Sequence, residues 1–90
     1  MNPIIKSILE RTADLIEFHG WTQGKYRDRT GAICLKEGLH RAASELHVVE
    51  HGAWCALEQY LDSNPVEWQD EPSRRREEVL VALRECAKNV

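Results

Sequence analysis

The stretch "NPIIKSILERTADLIEFHG", residues 2–20, decides the fold class, because its apolar residues return every three or four positions. Ile5, Ile8, Leu9, Ala13, Leu15, Ile16 and His19 fall on one stripe of a helix, the pattern of an element that buries one face. Both ends carry boundary chemistry. Asn2 is placed to accept a hydrogen bond from the first-turn amides, Pro3 brings a preset φ to the first helical position, and Gly20 suits a left-handed stop.

Beyond Gly20 the period is lost. Residues 21–33, "WTQGKYRDRTGAI", carry two glycines and alternating polar residues, which predicts a short β-hairpin with Asp28-Arg29-Thr30-Gly31 as its turn. From Cys34 a helical pattern resumes through Leu35, Leu39, Ala42, Ala43 and Leu46. Ser44 offers either a bend with a new cap or plain continuation, so one long helix and two short ones are both open. A stripe of Leu46, Val49, Ala53, Leu57, Tyr60 and Leu61 follows, ended by the turn chemistry of Asp62-Ser63-Asn64-Pro65. Residues 66–72 read as an irregular connection pinned to the core by Trp68. A last helix starts near Ser73 or Arg74 and carries Val79, Leu80, Leu83, Cys86 and Ala87, with Glu77 and Glu78 early, where the helix dipole favours acids. The expected architecture is one domain over residues 1–90: mainly α, compact, three to four helices, with a short hairpin between the first two.

Composition narrows the function classes. With 42% hydrophobic and 30% charged residues the chain is neither a disordered tail nor a membrane-spanning segment, and no apolar run approaches the roughly 20 residues a bilayer demands. The opening Met1-Asn2-Pro3-Ile4-Ile5-Lys6 has no basic head followed by a long apolar stretch, so the cytoplasm is the expected compartment. A net charge of -3 gives no general attraction to nucleic acid. Cys34, Cys55 and Cys86 are odd in number and widely spaced, which predicts reduced thiols, with Cys34 and Cys86 in phase with apolar neighbours.

Three groups of residues invite a chemical reading. "HVVEH", residues 47–51, spells H-x-x-E-H, the inverted metalloprotease motif, and on a continuous helix it sets His47 and His51 one turn apart, with Cys55 and Glu58 near the same row. A catalytic zinc asks in addition for a third ligand, a second shell and a walled cleft, and a chain this short has little material for them. No metal and no cofactor is therefore expected. Lys25, Arg27 and Arg29 with Tyr26, and Arg74-Arg75-Arg76, are the basic clusters of a nucleic-acid reading, which Glu71, Glu77 and Glu78 beside the triplet disfavour. Trp21 and Trp68 read as plugs on the two ends of the core, and Trp54, at the edge of its stripe, as a candidate anchor for a partner.

Gly20-Trp21-Thr22-Gln23-Gly24, Cys34-Leu35, Trp68-Gln69-Asp70-Glu71-Pro72 and Glu77-Glu78-Val79-Leu80 together resemble a domain of unknown function from actinobacteria and their phages, notably mycobacteriophages. That pattern is G-W-x-x-G, a C-L at a helix start, and W-N-D-x-P before a final E-E-V-L helix. It falls on Trp21, Gly24, Cys34, Leu35, Trp68, Asp70, Pro72, Val79, Leu80 and Leu83, with Gln69 standing where the pattern has Asn. The resemblance lends nothing to "HVVEH". It implies a small phage or actinobacterial accessory protein, with no activity attached.

The expected function is a non-enzymatic cytoplasmic interaction protein that binds, and modulates or inhibits, a host protein, with Trp54, Trp68 and Asp70 as interaction residues and a homodimer open. Asp70 has a second reading, as a carboxylate accepting amide hydrogen bonds at the start of the last helix. The alternatives are a nucleic-acid-binding regulator using the basic clusters and a metal-binding protein using His47 and His51.

Overall fold

Among the residues described by a computed structural model, 2–90, five helices follow one another: α1 (Pro3–His19), α2 (Leu35–Glu45), α3 (His51–Leu61), α4 (Pro65–Gln69) and α5 (Arg76–Lys88). None is long and apolar enough to cross a membrane. α1 forms as its ends dictate: the Asn2 side chain accepts the Ile5 amide at 3.0 Å, Pro3 opens the helix, and Gly20, at φ 97°, donates its amide back to the Ile16 carbonyl at 2.8 Å. Its stripe is buried through Ile8, Leu9, Ala13, Leu15 and Ile16, and Thr12 joins them by turning its hydroxyl onto the Ile8 carbonyl at 2.7 Å.

α1 packs against α2, α3 and α5, while α4 closes against α2 and α3. Leu9, Ile16, Leu39, Leu57 and Leu83 meet in one fully buried cluster, where each side chain contributes roughly 1.5–3 kcal/mol relative to exposure. The α1–α2 contact is close enough to require Gly38. A Cβ there would stand 2.8 Å from the Thr12 methyl.

The hairpin expected between the first two helices does not form. Residues 21–34 are a loop with two isolated bridges, Trp21 with Ile33 in parallel sense and Arg27 with Ile33 in antiparallel sense. One buried residue, Ile33, is thus wrapped from both sides, and a two-stranded ladder has no second register to occupy. The turn inside the loop does form: Asp28 Oδ1 accepts from the Thr30 amide, the Thr30 hydroxyl and the Ala32 amide, and Gly31 sits at φ 93°.

Ser44 neither caps a new helix nor carries the old one through. α2 stops at Glu45, His47 takes φ 59°, and the chain turns before α3 begins at His51. Leu46 is the C-cap of α2 and the chain turns at His47, so neither Leu46 nor Val49 continues a buried stripe, and they stand 44% and 78% exposed. Residues 66–72 correct the sequence reading in the other direction. Asn64 accepts the Val66 and Glu67 amides at 3.0 and 3.1 Å, and Pro65 then opens the short helix α4 in place of an irregular connection. α5 starts at Arg76, later than Ser73 or Arg74, where the Glu78 carboxylate accepts the Arg75 amide at 2.9 Å.

Candidate binding groove

Gln69, the last residue of α4, is 1% exposed and ties α4 to the loop after α1 and to the start of α2. Its Oε1 accepts from the Trp21 indole at 2.7 Å and from the Leu35 amide at 3.2 Å. Its Nε2 donates to the Thr22 carbonyl at 3.5 Å and to Asp70 Oδ1. Gln23 donates to the carbonyls of Gln69 and Glu71 at 2.7 and 2.8 Å, and the Gly24 amide donates to Asp70 Oδ1 at 3.0 Å. The loop before α2 is thereby laced to α4, and no buried side-chain nitrogen or oxygen among the described residues is left without a partner. A buried polar network stabilises when every member is satisfied, and this one is.

The lacing leaves a cleft of about 260 Å³ between loop and helix, lined by Gly24, Lys25, Tyr26, Cys34, Val66 and Gln69, with Asp70 at its side. A second hollow of about 200 Å³ shares Tyr26 with the first and adds Lys36, Glu37, His40 and Glu50. A third, of about 360 Å³, shares Lys36 and Glu50 with the second and reaches Val49, His51 and Trp54. The three hollows adjoin through these shared wall residues in a row from Asp70 to Trp54, a candidate groove. Tyr26, 60% exposed, stands at the first shared wall.

Most charged side chains along the groove have a partner within the fold. Glu37 holds the Arg41 guanidinium at 2.9 Å, Glu50 meets His40 Nδ1 at 2.9 Å, and the Lys36 ammonium lies 4.8 Å from the centre of the Trp54 ring. Cys34 is a helix cap, its sulfur accepting the Glu37 amide at 3.4 Å. Burial pushes its thiol up from the ordinary range, against the pull of the Glu37 and Lys36 amides, so it stays protonated near neutral pH. Burial raises the Cys86 thiol in the same way. No cysteine pair is bridged among the described residues.

Of the three interaction residues read from sequence, Trp54 and Asp70 stand at opposite ends of the groove. Trp54 is half-buried against the core. Trp68 lies outside the groove lining, half-buried, with the Arg74 guanidinium 3.9 Å above its ring and Arg74 Nε donating to its carbonyl at 2.9 Å. Trp21 and Trp68 both pack against the core as expected, but Trp21 does so beside the Trp68 helix, its indole donating to Gln69, and not at the opposite end. Asp70 accepts an amide of the preceding loop, not of α5, because α5 is capped by its own Glu78.

The other motifs disperse. His47 sits in the left-handed turn and His51 opens α3, so they do not share a helix, and no three His, Cys, Asp or Glu side chains converge on a metal position among the described residues. His51 Nε2 instead lies 3.5 Å from the Cys55 sulfur one turn on. In the arginine triplet, Arg74 also pairs with Glu71 and Glu78, and Arg76 donates to the Glu17 carbonyl at 3.2 Å. Sequence reasoning missed Gln69 as the organiser and Lys36 as a wall of the groove. The one available signal was an amide between Trp68 and Asp70 next to a cap-rich turn, and an amide side chain in a polar stretch looks like any solvated one.

Over residues 1–89 the chain matches the model of a family of unknown function, DUF6197, and it belongs to that family. Among curated proteins and among solved structures, none matches it.

Proposed function

We propose that this family member is a non-enzymatic interaction protein that receives a segment of another protein along the groove from Asp70 to Trp54. The observation that carries the reading is the row of three hollows sharing Tyr26, Lys36 and Glu50 as common walls. Each is at or below the small end of the roughly 300–1,000 Å³ of sites that enclose a drug-sized ligand, so the row suits successive side chains of a chain laid across it. Tyr26 and Trp54 supply aromatic contact area near its two ends, the residue types that dominate binding energy at interfaces.

The lining favours binding over chemistry, because the thiol in the first cleft is protonated and engaged as a cap. The basic-cluster reading draws less support, since Arg74 and Arg76 are engaged within the fold. The His47 and His51 reading loses its shared helix. The actinobacterial and phage setting comes from the sequence resemblance alone, and with it a host protein in the bacterial cytoplasm as the partner, bound so as to modulate or inhibit it.

Selection of a displayed random-peptide library on the immobilised protein tests the reading. The expected result is a set of peptides that lose affinity by about tenfold or more on Tyr26→Ala or Trp54→Ala, while circular dichroism shows both variants folded. Peptides held equally by both variants would place binding elsewhere and end the proposal.

A further inference from the structure

Three carboxylates line the groove, and they are not equivalent. Glu37 is paired with the Arg41 guanidinium, and Glu50 meets His40 Nδ1 at hydrogen-bond distance. Asp70, half-buried beside the first cleft, has no cationic side chain within ion-pair distance among the described residues. Its Oδ1 is occupied by two neutral donors, the Gly24 amide and Gln69 Nε2, while Oδ2 accepts no hydrogen bond from the described residues. Lys25 also lines the cleft, yet its charge acts on Asp28, whose carboxyl it helps to hold down, and it makes no ion pair with Asp70. The rest of the wall is Cys34, Val66 and Tyr26, the last 60% exposed.

We infer that the cleft at Asp70 takes the side chain of an arginine on the partner segment, an assignment that rests on the groove being the docking surface. A carboxylate removed in part from water and left without a cation is the complement of a positive group, and the ring face of Tyr26 attracts the same charge. Arginine fits better than lysine. Its planar guanidinium can donate to Oδ2 through its edge while its face lies on the ring, whereas an ammonium offers a point charge. The chain already uses that pairing once, where Arg74 lies 3.9 Å over the Trp68 ring while its guanidinium meets the Glu71 and Glu78 carboxylates. Val66 supplies apolar surface for the methylene stem.

The test is a titration of the isotope-labelled full chain with N-acetyl-L-arginine N-methylamide, followed by amide NMR shifts, beside the N-acetyl-L-citrulline analogue, a neutral near-isostere. Asp70→Asn is the informative variant, because its Oδ1 still accepts the Gly24 amide while the charge is gone. Saturable shifts at Gly24, Tyr26 and Asp70 are expected, weaker by about tenfold or more for citrulline and in Asp70→Asn. Absence of saturation, or equal binding by citrulline or by a folded Asp70→Asn, overturns the assignment. Selected peptides that depend on Tyr26 but carry no arginine, with a silent arginine probe, overturn it and leave the interaction reading standing. Peptides indifferent to Tyr26 and Trp54 remove that reading itself.

Discussion

The loop of residues 21–34 and the turn of residues 46–50 both join helices, and they are built in opposite ways. The loop is polar in sequence yet held across the molecule: Gln69 meets Trp21, Thr22 and Leu35, Gln23 meets Gln69 and Glu71, and Gly24 meets Asp70. The turn is apolar in sequence yet held locally, by amides of Leu46, His47 and Val48 on carbonyls of Ala42, Ala43 and Ser44 and by the His40–Glu50 pair. Hydropathy therefore misleads in both places. Order in the loop comes from one buried amide with all its partners, and the turn leaves Leu46, Val48 and Val49 facing solvent.

Gln69→Leu breaks the contrast at its strongest point. It leaves the Trp21 indole and the Leu35 amide without their acceptor, and a loss of about 3 kcal/mol is expected from orphaning buried donors. Urea unfolding measures it, and a loss under about 1 kcal/mol would mean the loop is ordered by Ile33 packing alone. Asn64→Ala removes the cap of the helix that presents Gln69, with an expected cost of about 1 kcal/mol in the same assay.

Acid sharpens the comparison from the loop side. The Asp28 carboxyl is held below its ordinary value first by the Thr30 hydroxyl, with the Thr30 and Ala32 amides and Lys25 adding and burial opposing. A depressed folded pKa stabilises above the unfolded value of about 3.9 and is lost as pH falls through the folded value. The Thr30 and Ala32 amide shifts should accordingly titrate with a midpoint below that ordinary value, and Asp28→Asn should abolish the titration. On the turn side, His47→Gly should stabilise the fold by about 0.5 kcal/mol, because φ 59° costs a residue with a Cβ more than it costs glycine. Val49→Ser should change stability by less than about 0.5 kcal/mol, as for other exposed positions, and a larger loss would show the turn packing against something in solution.

What the sequence by itself determined is the set of locally encoded features. Asn2, Pro3 and Gly20 bound α1, Asp28 to Gly31 makes its turn, and Asp62 and Asn64 mark a stop, because caps and turns are contacts among residues a few positions apart. The apolar stripes of α1 and α5 were legible for the same reason, through the helical period. Trp54 and Asp70 were readable as interesting residues but not as the two ends of one groove. Tertiary structure decided that the loop after α1 wraps Ile33 and forms no hairpin, that the chain turns at His47 and separates it from His51, and that Gln69 is buried. Each is a competition between a local preference and distant partners. The Trp21 indole, the Leu35 amide and the Gly24 amide lie 34 to 48 positions from the groups they meet, and no local pattern records so long a separation.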